Sequence, residues 1–446
     1  MRASVCHRKL VSSHPVRSAR TLALAIGLAS LVTGAPLASS GPRPSAVEEF
    51  ARLRKEADAA RGSGNMQARL QVILKVKRLL NDAPDAVEAA AAAYAEAGEP
   101  QQALASLRQF ADLGQADDGL LTGENRKFVA LQKLPQYQAI LKHFAENKTV
   151  ILRSEPAFEL SDPRLLAEDI DYDPGSKTFL ITSVLEKKIL RVTPEGKATD
   201  FAESPSGWPM LALKVDTTHN SVWATEVALD GFTVAPKSEW GRSAVLCFDL
   251  ASGKLRQRIG SSVPSELGDM VLTREGNPIV SDGGGGGVYR VNGDHLERID
   301  AGDFISPQTP AMHPDGKHVF VPDYARGVGV LDLTNKSVTW LNQPANYAVN
   351  GIDGLYFAGG ALIATQNGTS PERVIRFQLN SRLSNIVSEE TIERATATLG
   401  DPTHGVVVGD VFYYIANSGW NTVDEHGDPK AGSKLTPARI MRFRLR

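Results

Sequence analysis

Glu168 to Thr182 reads EDIDYDPGSKTFLIT, and Gln308 to Pro322 reads QTPAMHPDGKHVFVP. Each stretch brings a short polar strand into a turn built on Pro, Gly and Asp, then leaves it on an apolar strand. The theme restarts near Leu211, Gly268, Asp353 and Thr403, with inner hairpins closing at 216–220, 274–277, Gly359-Gly360 and Gly409-Asp410. A later strand is equally repetitive: Ile189-Leu-Arg-Val, Val245-Leu-Cys-Phe, Val288-Tyr-Arg-Val, Val328-Gly-Val-Leu, Val374-Ile-Arg-Phe and Ile440-Met-Arg-Phe. Six units over 165–446 average about 47 residues, the span of a four-stranded blade. A blade is apolar on both faces and is stable only between neighbours, so the ring must close. The expected body, over 149–446, is an all-β, six-bladed β-propeller. The Trp-Asp signature of WD40 arrays is absent.

Outward from this body, the 446 residues leave room for a second folding unit. Over 41–148 the apolar spacing is helical. Leu70, Val72, Ile73, Val76 and Leu79 lie on one stripe. Asn81 to Pro84 breaks it, and Asp85 is the expected cap of the next helix. Residues 86–97 and 101–113 read as two helices joined at Gly98-Glu99-Pro100, with small-residue packing that resembles a tetratricopeptide repeat. The segment from Asn125 to Phe144 resembles the closing part of such an array. This all-α, TPR-like prefix either binds a protein partner or simply packs on the propeller.

Arg2, Arg8, Lys9, Arg17 and Arg20 precede an apolar run over 21–35, and Ala38-Ser39-Ser40 follows. That order is a secretory signal peptide over 1–40, which places the mature protein in the periplasm or outside the cell. Past it, no apolar run is long enough for a membrane span. The two cysteines, Cys6 and Cys247, leave one after processing, so no intrachain disulfide forms. Cys247 lies in an apolar strand and is expected buried and inert. Lys and Arg total 49 against 51 Asp and Glu, a net charge of −2 that argues against a nucleic-acid surface.

Aligning the repeats places Glu168, Leu211, Gly268, Gln308, Asp353 and Thr403 at equivalent positions. Innermost strands line the central channel, so these positions form a ring, and Glu168 and Asp353 face one axis. Two carboxylates there repel unless a hard cation joins them or one holds its proton. Carboxylate and amide oxygens suit Ca²⁺, Mg²⁺ or Mn²⁺, with Zn²⁺ the remaining divalent candidate. Such a metal polarises an ester carbonyl and acidifies a bound water, and Asp353 or Asp269 then serves as general base.

These residues resemble the senescence marker protein-30/gluconolactonase (SMP-30/LRE-like) family. Glu168 and Asp173 match a Glu five residues ahead of the Asp that opens the first hairpin. Ile352-Asp353-Gly354-Leu355 resembles the family's Pro-Asp-Gly-Leu. Its Asn-Asp-Gly falls on Gly268-Asp269-Met270, keeping the Asp and losing the Asn. Its Ser-Asn-Gly falls on Pro307-Gln308-Thr309, where Gln308 replaces an Asn. The resemblance implies metal ligands at Glu168, Gln308 and Asp353 and the general-base part for Asp353; the family's substrate-contacting Asn is lost at Gly268, and Asp269 beside it is the candidate substrate contact.

His404, Asn350 and Trp420 are further candidates for substrate contact, although a lone His is ordinarily a hydrogen-bonded structural residue. The connections 229–242 and 421–437 are long and suit a specificity rim. Gly283 to Gly287 lacks the Lys-Ser/Thr of a P-loop and reads as a close-approach loop. His313 and His318 flank a turn and are expected in solvent. Two functions follow: a metal-dependent hydrolase of a sugar lactone or related ester, or a non-catalytic propeller that binds a partner.

Overall fold

The computed structural model describes residues 44–232 and 235–445; the leader at 1–40 lies outside the described residues. Six helices come first: α1 (Ala46–Gly62), α2 (Met66–Leu79), α3 (Pro84–Glu96), α4 (Pro100–Asp112), α5 (Asp118–Thr122) and α6 (Pro135–Asn147). Ser45 and Glu48 form a capping box that starts α1. Ala83 is the N-cap of α3, so Asp85 falls inside its first turn rather than capping it; Pro84 at N1 sets the entry without a side-chain cap. The closing segment is helical only from Pro135, and a single 3₁₀ turn (Val129–Leu131) precedes it. Among the described residues no helix is long and apolar enough to cross a membrane.

The strands then form six antiparallel sheets. Their consecutive strands span 167–203, 210–260, 267–298, 311–340, 354–394 and 405–444, four in each of the first five stretches and three in the last; they are called blades 1 to 6 here. The six repeated apolar strands of the sequence are the third strands of the six blades. Alternate residues of each blade bury against the next, with Leu180, Ile189 and Leu246 between blades 1 and 2 and Ile363, Val374 and Phe412 between blades 5 and 6. Each such side chain contributes roughly 1.5–3 kcal/mol of burial.

Blade 6 supplies only three strands of its own. Its fourth is β2 (Glu155–Glu159), which pairs with Arg439–Arg444, while β1 (Ile151–Leu152) adds a fifth strand to blade 5. The chain before the first blade therefore closes the ring, a role the repeat pattern does not reveal. A buried carboxylate pins the crossing: Glu393 accepts hydrogen bonds from Ser154 Oγ at 2.5 Å and from the hydroxyls of Thr396 and Tyr414.

The connections into the first strands and the turns between second and third strands share one face of the ring. The helices sit on that face. Ala46 N donates to Gly302 O at 2.8 Å, Asn81 Nδ2 to Arg326 O at 3.0 Å, and Ala116 N to Ser370 O at 2.6 Å. Ile305 and Ala325 join the core of α1–α3, and Ala348 joins that of α4 and α6. The long connections rise on the same face, where Leu229 and Phe232 pack with Trp420 and Val423. The glycine run makes the expected close approach: a Cβ on Gly286 (φ 70°) would lie 2.3 Å from Val47, and one on Gly284 2.9 Å from the Glu266 carboxyl. Cys247 is buried as expected. His313 and His318 are half-buried rather than in solvent: their rings lie 5.6 Å apart, His313 packs on Phe320, and both face the Asp315 carboxylate at 3.0 and 2.6 Å.

Candidate active site in the axial channel

The ring positions are held by a repeated device. Register shifts interrupt the first strand of blade 1 between Ala167 and Ile170, of blade 2 between Met210 and Leu213, and of blade 3 between Leu267 and Asp269. A bulge of this kind re-aims side chains, and here it turns Glu168 and Asp269 toward the axis. Hydroxyls on the second strands of blades 1, 3 and 5 then tie the inner strand to the next blade. Thr182 Oγ1 accepts Asp169 N at 2.9 Å and donates to Leu211 O at 2.5 Å. Ser281 Oγ donates to Gln308 O at 2.8 Å, and Thr365 Oγ1 accepts Gly354 N at 2.9 Å and donates to Thr403 O. Thr403 Oγ1 links the last blade to the first by donating to Glu168 O at 2.9 Å.

His404 crosses the channel. It leaves blade 6 and places Nε2 2.5 Å from Asp269 Oδ1 on the opposite blade 3, while Nδ1 lies 2.7 Å from Glu168 O. A nitrogen facing a carbonyl oxygen must donate, so Nδ1 carries a proton. Thr309 Oγ1 donates to the same Asp269 oxygen at 2.6 Å. Burial opposes charge on the ring, but Asp169, the bond to Asp269, and Asp353 outweigh it, and His404 is held well above the ordinary histidine range. Burial also pushes Asp269 up, against the pull of His404. Both groups favour a proton, and the pair shares one.

Asp353 completes the cluster. One donor atom each from Asp269, Asp353 and His404 lies within 4.8 Å of the others. Asn367 Nδ2 holds Asp353 Oδ2 at 2.7 Å. A cavity of about 30 Å³ adjoins them, lined by Glu168, Glu266, Asp269, Asp353, Leu211, Leu229, Gly268, Gly283 and Trp420. Trp420 Nε1 donates to Glu168 Oε2 at 2.5 Å. Burial, then the charge of Asp282, raises Glu266 to about 7.

Of the residues singled out in the sequence, Glu168, Asp269, Asp353 and Trp420 line this cavity, and His404 bonds to two of them. Two lie elsewhere. Gln308 turns its amide nitrogen to Ser306, 3.1 Å from Oγ and 3.3 Å from O, so its longer arm folds back toward its own connection. Asn350 Nδ2 donates to Ala325 O at 2.9 Å, which makes it a brace between connecting loops. Sequence reasoning missed Glu266, which enters from the connection two residues before the ring position, and Asp169, which meets Lys214 Nζ at 2.7 Å behind His404.

Four carboxyl groups around a space of this size fit a hard divalent cation in chemistry and volume. Asp269 and Asp353, whose oxygens already converge, are the residues that would hold it, with Glu168 on the cavity wall as the third acid that would have to turn to it. His404 Nε2 is no ligand while it keeps its bond to Asp269.

No protein-family model matches the chain, and no curated protein sequence does. Among solved structures it is similar to the PQQ-bound aldose sugar dehydrogenase of Streptomyces coelicolor, at 14% identity over 66% of this chain and 97% of that one, with a TM-score of 0.46. It is similar to the calcium-binding protein regucalcin of Agrobacterium tumefaciens, at 16% identity over 66% and 95%, with a TM-score of 0.46. It is also similar to a gluconolactonase of Xanthomonas campestris, at 13% identity over 66% and 100%, with a TM-score of 0.43. Structures named for the family that the sequence resembles are thus among its neighbours. The six-bladed architecture itself rests on the six sheets above.

Proposed function

We propose that this protein is an exported, lactonase-like propeller, a metal-dependent hydrolase of a sugar lactone or related ester. The observation that carries the reading is the meeting of Asp269, Asp353 and His404 at the axis, beside a cavity ringed by acids. A divalent cation held there by Glu168, Asp269 and Asp353 would polarise the ester carbonyl and acidify a water. Asp353, oriented by Asn367, takes the proton of the attacking water at its carboxylate. The Asp269–His404 pair, which shares a proton between Oδ1 and Nε2, returns one to the oxygen that leaves as the ring opens. Export rests on the order of charges and apolar residues in the leader.

A second reading has its own support. The axial groups already have partners within the protein, and the cavity holds about one water. On that reading the cluster is a polar clasp, and the ring with its helices is a docking platform.

One assay separates them. The mature protein is stripped with EDTA, reloaded with Mn²⁺ or Ca²⁺, and tested on a panel of aldonolactones. Hydrolysis that returns with the metal, and falls by about 10²–10⁴ in Asp353→Asn, is the expected result. Silence across the panel with metal supplied sinks the hydrolase and leaves the platform.

A further inference from the structure

We propose that Trp420 decides what reaches the axial carboxylates: its indole closes the cavity and its N–H holds Glu168, so a ligand enters only when the indole swings out. The inference rests on reading that cavity as the reactive site, and it deepens that reading.

Size comes first. A space of about 30 Å³ takes one water or a bare ion, whereas sites for small organic molecules run to roughly 300 Å³ and more. A lactone needs the wall to move. Trp420 is the wall residue that carries both an apolar seat and a polar tether. Its ring lies 5.4 Å from that of Phe232 and packs among Leu166, Leu229 and Val423. Its N–H reaches Glu168 Oε2 at 2.5 Å.

The backbone around it suits a hinged unit. Gly419 has φ 95°, a left-handed conformation that side chains rarely adopt. Beyond it the connection is tied to itself: Lys430 N donates to Thr422 O at 2.9 Å, Lys430 Nζ donates to Asn421 O at 2.9 Å, and Val423 bridges Pro429. Rotation at Gly419 therefore carries Trp420 with a small preformed block. The tether also couples the two events. A cation that engages Glu168 competes with the indole N–H, so filling the site loosens the wall that shuts it.

Two measurements test this on the full mature chain. Carboxyl groups are labelled with carbodiimide and glycine ethyl ester without metal and read by mass spectrometry, with exposed Glu195 and Glu275 as internal standards. Glu168 and Asp353 should label about tenfold faster in Trp420→Ala than in the wild type, and in Trp420→Leu should that variant fold better. Mn²⁺ titration calorimetry should show Trp420→Phe, which keeps the apolar ring and loses the donor, binding about tenfold more tightly than the wild type. Equal labelling rates overturn the gate. Equal Mn²⁺ affinities, or no Mn²⁺ binding by either protein, overturn the coupling through Glu168. Both shifts present without lactone hydrolysis sink the hydrolase and leave Trp420 guarding a binding site.

Discussion

Glu266 reaches the axial cavity from a position where the repeat pattern offers nothing, two residues ahead of Gly268. Gly268 itself leaves open space, since a Cβ there would meet no atom closer than 3.9 Å. The Glu266 carboxyl lies along the Gly284 backbone, and its own N–H is fixed by Asp282 Oδ1 at 2.8 Å. Burial and the Asp282 charge raise it from 4.5 to about 7. The folded state thus holds this proton more tightly than the unfolded chain does. Below the unfolded value both states are protonated, and the group adds no pH dependence. As pH rises from 4.5 toward 7 the unfolded chain ionises first, and stability falls by roughly 1–3 kcal/mol. Glu266→Gln should remove that fall. Urea unfolding at pH 5 and pH 8 with chelator present checks it, and an unchanged difference between the two pH values would refute the assignment. Glu168 and Asp353 were legible in the sequence because they hold equivalent places in the repeat, and Asp269 because its neighbourhood resembles a family motif. Glu266 and the Trp420–Glu168 bond were not, because connections carry no period.

At the scale of elements, the first hairpins of blades 1, 2 and 4 reuse one turn. Asp173 accepts Gly175 N at 2.9 Å, Asp216 accepts Thr218 N at 3.0 Å, and Asp315 accepts Lys317 N at 2.8 Å. The residue three past the Asp then bonds back to it: Ser176 at 2.5 Å, His219 and His318 each at 2.6 Å. His318 thus belongs to a turn motif that blade 2 repeats with His219, although His219 stays exposed; His313 packs its ring on Phe320 at 5.1 Å. The hydroxyls of the second strands do for the channel what these carboxylates do for the rim. Thr365→Val keeps the shape at that position but strands Gly354 N and Thr403 O, both buried. Each orphaned group costs about 1–3 kcal/mol. Denaturant unfolding should show a loss in that range for Thr365→Val and much less for Thr365→Ser. The strands were readable from apolar periodicity, whereas the tie between blades was not, since a Thr in a strand looks alike whether or not it reaches a neighbour.

Over the whole molecule, a ring of blades is only as stable as its last seam. Repeat counting delivered six blades because the third strands are near copies. It could not reveal the closure, because β2 shares no motif with them and lies before the first copy. The helical prefix was likewise legible as helices, but its seat on the mouth face depends on single groups such as Gln115, whose Oε1 accepts Ser370 N at 3.0 Å. These two dependencies separate by truncation. A chain beginning at 149 loses the helices and uncovers Ile305, Ala325 and Ala348, yet keeps β1 and β2. A chain beginning at 165 also loses β2, which leaves Arg439–Arg444 as an open edge with unpaired backbone groups on blade 6. It loses Ser154 from the buried Glu393 carboxylate as well. The first should remain a monomeric β-protein with a lowered melting temperature. The second should aggregate or lose its cooperative melt, because the seam between blades 6 and 1 is then short of a strand. Size-exclusion chromatography and thermal circular dichroism on both chains read the difference, and equal melting of the two would show that β2 does not hold the ring closed.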